Sequence, residues 1–178
     1  MNLSDGEKLI MLMLADVSKA LEMEGENPQF IQKTIANDDL WALRWKYHGA
    51  PFSKHPAPPE VAETCEILEM WSVVESSFAA LSPTEKKRVK YDAYPFGNDV
   101  QFHGFYGNHD PHTSIARVLI EDLGLWTEFK GRSPDDHART LEHHMRMYHV
   151  FESVCDCLHS RRLNADEIIR VLTAQKYT

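Results

Sequence analysis

The chain has 178 residues, of which 43% are hydrophobic and 26% are charged, an ordinary composition for one globular domain with its own core. Its 27 acidic residues outnumber the 19 basic ones, and the resulting net charge of −8 is poorly matched to nucleic-acid phosphates or an anionic membrane. The longest wholly apolar run, 9–15, is far shorter than the roughly 20 residues that cross a bilayer.

Cysteine usage and the N-terminal segment favour the cytoplasm. The three cysteines are odd in number and lie in helical patterns, which favours a reducing compartment over a disulfide framework. The N-terminal segment lacks the basic stretch and the long apolar core of a signal peptide. We therefore expect a cytoplasmic protein without membrane contact.

The first 50 residues predict three helices that begin at capping residues. Ser4 and Glu7 form a capping-box pair before the first helix. Its apolar residues share one broad face and are Leu9, Leu12, Met13, Ala15, Val17 and Leu21. A second short helix covers 27–35, and Asp38 or Asp39 can cap a third.

A proline-rich connector separates these helices from the rest of the chain. It covers 51–59, contains four prolines and is the best internal boundary in an otherwise single domain, 1–178. A long amphipathic helix is predicted over 60–81. Ser82 and Glu85 then form a second capping box, which opens a short basic helix.

The segment 94–111 interrupts the helical pattern. It holds three glycines, two prolines and five aromatic residues with no sustained period, which is typical of a structured loop. Thr113 or Ser114 is expected to cap the next helix, which runs through Leu123 and is closed by Gly124.

The segment 133–160 predicts a long helix in the C-terminal half. Ser133 can cap it, Pro134 suits its first turn, and Asp135 and Asp136 suit the positive end of its dipole. One apolar stripe is formed by Ala138, Leu141, Met145, Tyr148, Phe151 and Cys155. A second stripe on another side is formed by Met147, Val150 and Val154. A helix that is apolar on two sides is covered by two partners, from its own chain or from a second copy.

Asn164 and Glu167 form a last capping pair before a C-terminal helix. The sequence shows no internal repeat and no convincing strand. We therefore predict an all-α, multihelical single domain of about seven or eight helices, with a long central C-terminal helix.

One cluster in the aromatic loop has the residue types of a metal or acid/base site. It consists of His103, His109, Asp110 and His112. Imidazole and carboxylate groups are the usual ligands of zinc and similar metals. The spacing matches no recognised zinc signature, so ordinary loop histidines are the favoured interpretation.

Two histidines of the long helix, His137 and His144, fall inside its apolar arc. We interpret them as core or interface histidines that hydrogen-bond to a neighbour, with a pH-sensitive contact as the alternative. The basic run 86–90, next to Tyr91 and Tyr94, can suit a nucleic acid or an acidic partner. On so acidic a chain a solvated helix face is favoured.

Standard catalytic motifs are absent from the sequence. There is no GxSxG, Walker A, GxGxxG or HExxH motif, so no catalytic residue and no cofactor is predicted. Cys155 and Cys157 diverge by about 200° on a helix and cannot chelate one ion, which makes them core residues.

Several segments along nearly the whole chain carry a family resemblance. They are 3–7 (LSDGE), 63–65 (ETC) leading to 69–71 (EMW), 129–132 (FKGR), 146–151 (RMYHVF) and 163–169 (LNADEII). Together they resemble the YfbU-like family of small bacterial proteins. The resemblance implies a helical, cytoplasmic, self-associating protein, and it brings no catalytic residue or cofactor.

Three hypotheses for the function follow. The first is a non-enzymatic oligomeric interaction or regulatory protein that self-associates through Met147, Val150 and Val154, with a further protein partner unidentified. The second is a small-molecule or metal-dependent enzyme that uses the loop 94–112. The third and weakest is a nucleic-acid-binding regulator that uses the basic run.

Overall fold

The computed structural model describes residues 3–23, 27–48, 56–107, 110–132, 135–136, 141–155 and 162–176. Within these ranges the chain forms eight α-helices and two strands of two residues each, which confirms the all-α class. The chain divides into two compact units, 1–58 and 59–178, and the division falls in the proline-rich connector. None of the helices in the described ranges is long and apolar enough to span a bilayer.

The first unit contains three helices, α1 (Asp5–Ala20), α2 (Pro28–Ala36) and α3 (Leu40–Lys46). The predicted capping box is present, since Ser4 and Glu7 each accept a backbone N–H of the other. Helix α1 packs on α2, and α2 packs on α3. The buried apolar residues of this unit are Ala15, Phe30, Ile35, Leu40, Trp41, Ala42 and Leu43.

The second unit contains five helices and a short parallel strand pair. The helices are α4 (Pro59–Ala80), α5 (Pro83–Asp92), α6 (Pro111–Arg117), α7 (Leu141–Cys155) and α8 (Ala165–Thr173). The capping boxes predicted at Ser82 and Asn164 are both present. A π-helical turn, Val118–Asp122, continues α6 and leads to Gly124 in the left-handed region at φ +68°.

Helix α4 occupies the centre of this unit, because it contacts α6, α7 and α8. Its 22 residues bury side chains along their whole length, from Val61 through Ile67 and Trp71 to Ser77. The long central C-terminal helix is therefore not confirmed: α7 has 15 residues, begins at Leu141 and packs between α4 and α8.

The predicted start of the C-terminal helix is wrong. Asp135–Asp136 form a strand, β2, which pairs in parallel with β1, Phe105–Tyr106. The backbone groups of this segment bond to a distant part of the chain, and such long-range pairing overrides local helix signals. The predicted cap at Ser133 and Pro134, like residues 156–160, lies outside the described residues.

The predicted cap of α6 is also wrong. Asp110, rather than Thr113 or Ser114, is the N-cap, and its side chain accepts the backbone N–H of His112 at 3.0 Å. Pro111 occupies the first helical position, where its missing N–H costs nothing. This cap fixes the carboxylate of Asp110 beside His112 at the end of the aromatic loop.

Candidate functional site

The structure separates the candidate metal ligands of the aromatic loop. Asp110 and His112 contact each other, whereas His103 pairs with Asp99 through Nε2 and Oδ2 at 3.0 Å. His109 lies outside the described residues. Among the residues that the structure does describe, no group of three His, Cys, Asp or Glu side chains can hold a metal ion. Metal binding by the four together stays a prediction.

His112 lies between two carboxylates. His112 as a whole residue is 3% exposed, the ring Nδ1 is 2.5 Å from Asp110 Oδ1, and the ring Nε2 is 2.9 Å from Glu63 Oε2. Phe105 packs against the ring at a centroid distance of 5.5 Å. Only a doubly protonated imidazole can donate to both carboxylates at once, and then neither nitrogen has a lone pair for a metal or a substrate proton. The contact ties the N-terminus of α6 to α4.

Glu63 was missed in the sequence, because it lies 49 positions from His112 and on another helix. Its side chain is 40% exposed, and a partly exposed glutamate on a helix gives no signal of a specific partner. Only the packing of α6 on α4 brings the two side chains together.

His144 has the environment of a core histidine, as predicted. Its Nδ1 accepts the Nε1–H of Trp71 at 3.1 Å, and its Nε2 donates to the backbone oxygen of Gly104 at 3.0 Å. These two bonds fix the neutral tautomer with the proton on Nε2. Phe102 and Phe105 surround the ring at centroid distances of 5.7 and 5.5 Å. The side chain of His137 lies outside the described part of the chain.

A small cavity of about 230 Å³ opens beside His144. His103, Asp99 and Gln101 lie at its polar side, and Gln101 donates to Asp99 at 3.2 Å. A histidine beside a carboxylate can exchange protons, but both side chains are about half exposed, so their charges are well solvated. The cavity can admit a small polar molecule, and among the residues that the structure describes no serine, threonine or cysteine lines it to act as a nucleophile.

The second apolar stripe of the C-terminal helix is largely covered by the chain itself. Met147 and Val154 are 0% and 4% exposed, and Val150 is half-buried. Since α7 packs on α4 and α8, the partners of this stripe are the chain's own helices. A surface for a second copy has to be sought elsewhere on the molecule.

Such a surface lies on α1, and we call it the α1 face. Its side chains are between 52% and 68% exposed and are Leu9, Ile10, Met13, Leu14, Val17 and Leu21. At 100° per residue they fall within an arc of about 140°, and no charged residue of α1 falls inside that arc.

The opposite side of α1 is the one that packs within the first unit. Ala15 is buried, and Met11 and Leu12 are half-buried, on the side that contacts α2. The sequence had placed Leu9, Met13, Val17 and Leu21 on one broad face with Leu12 and Ala15, and the structure shows that this face is divided. The apolar run 9–15 indicates this second apolar side, because consecutive apolar residues on a helix point in all directions and need more than one partner.

A comparison with models of protein families matches residues 1–174 to the YfbU domain. The match covers nearly the whole chain and agrees with the resemblance of the separate segments. No curated protein and no solved structure matches the chain.

Proposed function

The chain belongs to the YfbU family, and we propose that it is a non-enzymatic interaction or regulatory protein of the cytoplasm that self-associates through the α1 face. One observation carries the proposal. Six large apolar side chains lie exposed on one side of α1, opposite the side that packs on α2.

The size of the α1 face supports a protein–protein contact. Six such side chains, each more than half exposed, present an area on the order of 700 Å². Single apolar patches on monomeric proteins rarely exceed about 600 Å², whereas a standard interface buries about 800 Å² on each partner. The α1 face is therefore at the upper end of the apolar patches found on monomers and close in area to one half of a standard interface.

The chemistry of the α1 face favours a second copy of the same chain. In a two-fold dimer the patch on one copy packs against the same patch on the other, so the patch must be complementary to itself. The uncharged arc does so, because two copies can meet without opposing like charges across their centre. A membrane surface is a poorer partner, since the charged residues of α1 are three acids and two bases, and helices that lie on anionic membranes carry a basic polar face.

Native mass spectrometry at micromolar concentration tests the proposal. We expect a dimer for the unmodified protein and a monomer for the double variant Ile10→Glu/Leu14→Glu, because burying two carboxylates in an apolar contact costs several kcal/mol. Both positions are exposed, so the variant should keep its circular dichroism spectrum and melting temperature.

The matched control is Lys19→Glu, which changes the charge of the same helix outside the α1 face. It should remain dimeric. A monomeric unmodified protein, or a double variant that dimerises as well as the unmodified protein, would refute the proposal.

A further inference from the structure

A second exposed surface, on α5 and the turn that follows it, combines two lysines with two tyrosines. Lys87, Lys90, Tyr91 and Tyr94, together with Asn98, line a groove of about 650 Å³, which we call the Lys–Tyr groove. The four side chains occur at helical spacings of three, four and seven, and the backbone N–H of Tyr94 bonds to the oxygen of Tyr91, which extends the turn. Tyr91 and Tyr94 are 85% and 66% exposed.

The charges of the basic run differ in whether they already have partners. Lys86 donates to a backbone oxygen of α4 at 2.7 Å, and Arg88 pairs with two carboxylates. The side chains of Lys87 and Lys90, by contrast, make no hydrogen bond or ion pair with any residue in the described ranges. The two cations without partners are the ones that line the groove with the tyrosines.

We propose that the Lys–Tyr groove binds single-stranded nucleic acid. Exposed aromatic rings stack on unpaired bases whatever their sequence, while lysines contact the phosphates that join them. The groove volume lies within the range of ligand clefts and fits roughly one or two nucleotides. A duplex is a poorer ligand, because its bases are stacked on one another and two lysines neutralise few of its phosphates.

The overall acidity of the chain limits the strength of this interaction. A net charge of −8 repels a polyanion at long range, so stacking must supply much of the affinity. We expect a dissociation constant of about 10–100 µM at 50 mM salt. Two phosphate contacts on a single strand give a slope of about −1.4 in log affinity against log salt, so 200 mM salt should weaken binding about sevenfold.

Fluorescence anisotropy with a labelled ten-nucleotide oligouridine tests the proposal, alongside a ten-base-pair duplex and a polyglutamate peptide. Tyr91→Ala/Tyr94→Ala should weaken binding to oligouridine at least fivefold without changing the salt slope. Tyr91→Phe/Tyr94→Phe keeps both rings and should bind within about twofold of the unmodified protein. All these side chains are exposed, so the variants should fold normally.

Two further variants separate the lysines of the groove from general charge. Lys87→Ala/Lys90→Ala should bring the salt slope close to zero. Lys130→Ala/Lys176→Ala removes the same charge from exposed positions elsewhere and should leave affinity and slope unchanged.

The proposal would be overturned by no binding of oligouridine at 50 mM salt, by unchanged binding of the tyrosine-to-alanine variant, or by equal binding of the duplex. Equal binding of polyglutamate would instead identify an acidic peptide as the partner and would also overturn it. The groove lies in the second unit and the α1 face in the first, so the two proposals can fail independently.

Discussion

Hydrogen-bond partners decide what each buried histidine of this protein can do. His112 lies between the carboxylates of Asp110 and Glu63, whereas His144 lies between a tryptophan N–H and a backbone oxygen. The first arrangement offers an acceptor to each ring nitrogen, and the second offers one donor and one acceptor, which suits a neutral tautomer. Both rings have their nitrogens fully engaged, so each one stabilises packing rather than offering a lone pair to a ligand.

Replacing His144 tests this structural role. In His144→Leu the buried N–H of Trp71 and the oxygen of Gly104 both lose their hydrogen bond to the imidazole, which should lower the free energy of unfolding by about 2–4 kcal/mol. The measurement is urea unfolding. His103→Leu is the control, because its contact with Asp99 is half exposed and should be worth less than about 1 kcal/mol. Equal losses in the two variants would contradict the assignment.

The thiol of Cys65 should be unreactive in the folded protein. Burial, with a smaller contribution from the charge of Glu66, raises the pKa of Cys65 to about 11. At pH 8 its thiolate fraction, and hence its alkylation rate, should be about 100-fold below that of an ordinary thiol. Because the folded pKa is raised, this thiol contributes no loss of stability below about pH 9 and weakens the fold only as the pH rises from there towards 11.

Site-resolved mass spectrometry after timed treatment with iodoacetamide measures the alkylation rate. The same protein in guanidinium chloride supplies the reference rate, because unfolding removes the burial. Labelling of Cys65 at the denatured rate would show that the thiol is not shielded.

At the scale of elements, local chemistry explains which boundaries could be predicted. The three capping boxes at Ser4, Ser82 and Asn164 all form, since each needs only residues three positions apart. The start of α7 could not be predicted, because Asp135–Asp136 pair with a strand some 30 positions away. A sequence pattern shows contacts between residues three positions apart, but it does not show the pairing of two distant strands.

The junction of α5 with the short helix Phe96–Asn98 depends on one glycine. A Cβ at Gly97 would lie 2.3 Å from the backbone oxygen of Val89, and backbone cannot move aside as a side chain can. Gly97→Ala should therefore lower the free energy of unfolding by about 1–3 kcal/mol, which corresponds to roughly 2–12 °C in melting temperature.

Gly6→Ala is the matched control for this substitution. A Cβ at Gly6 meets nothing within 4 Å, and alanine favours a helix over glycine by up to about 1 kcal/mol. Calorimetry should show destabilisation for Gly97→Ala and no loss for Gly6→Ala. A Gly97→Ala protein as stable as the unmodified one would mean that the backbones at Gly97 and Val89 lie farther apart than this distance implies.

At the scale of the whole molecule, the candidate site was harder to predict than the fold. Helical periodicity identified the class, but it could not tell which apolar side of a helix the chain itself covers. Met147 and Val154 were expected to meet a partner and are buried within the chain, while Leu9 and Met13 lie exposed. Periodicity gives the direction of a side chain around its own helix, whereas exposure depends on which other helices are packed there.

The availability of charged side chains likewise depends on local packing and pairing, which the sequence does not show. The net charge of −8 argues against a polyanionic partner, yet it is a sum over the whole chain. Within the basic run, Lys86 and Arg88 already bind other groups of the chain. Lys87 and Lys90 lie beside exposed tyrosines instead. The net charge therefore limits how strongly the protein can bind a polyanion, but it does not exclude a local binding site.

Photo-crosslinking from the centre of the α1 face tests self-association most directly. Benzoylphenylalanine replaces Met13, which is 60% exposed, and protein labelled with nitrogen-15 is mixed with unlabelled protein before irradiation. We predict cross-linked peptides that join a labelled α1 to an unlabelled α1, and far fewer when the same group replaces Lys19. Cross-links confined to a single copy, or yields no higher than at Lys19, would contradict the account.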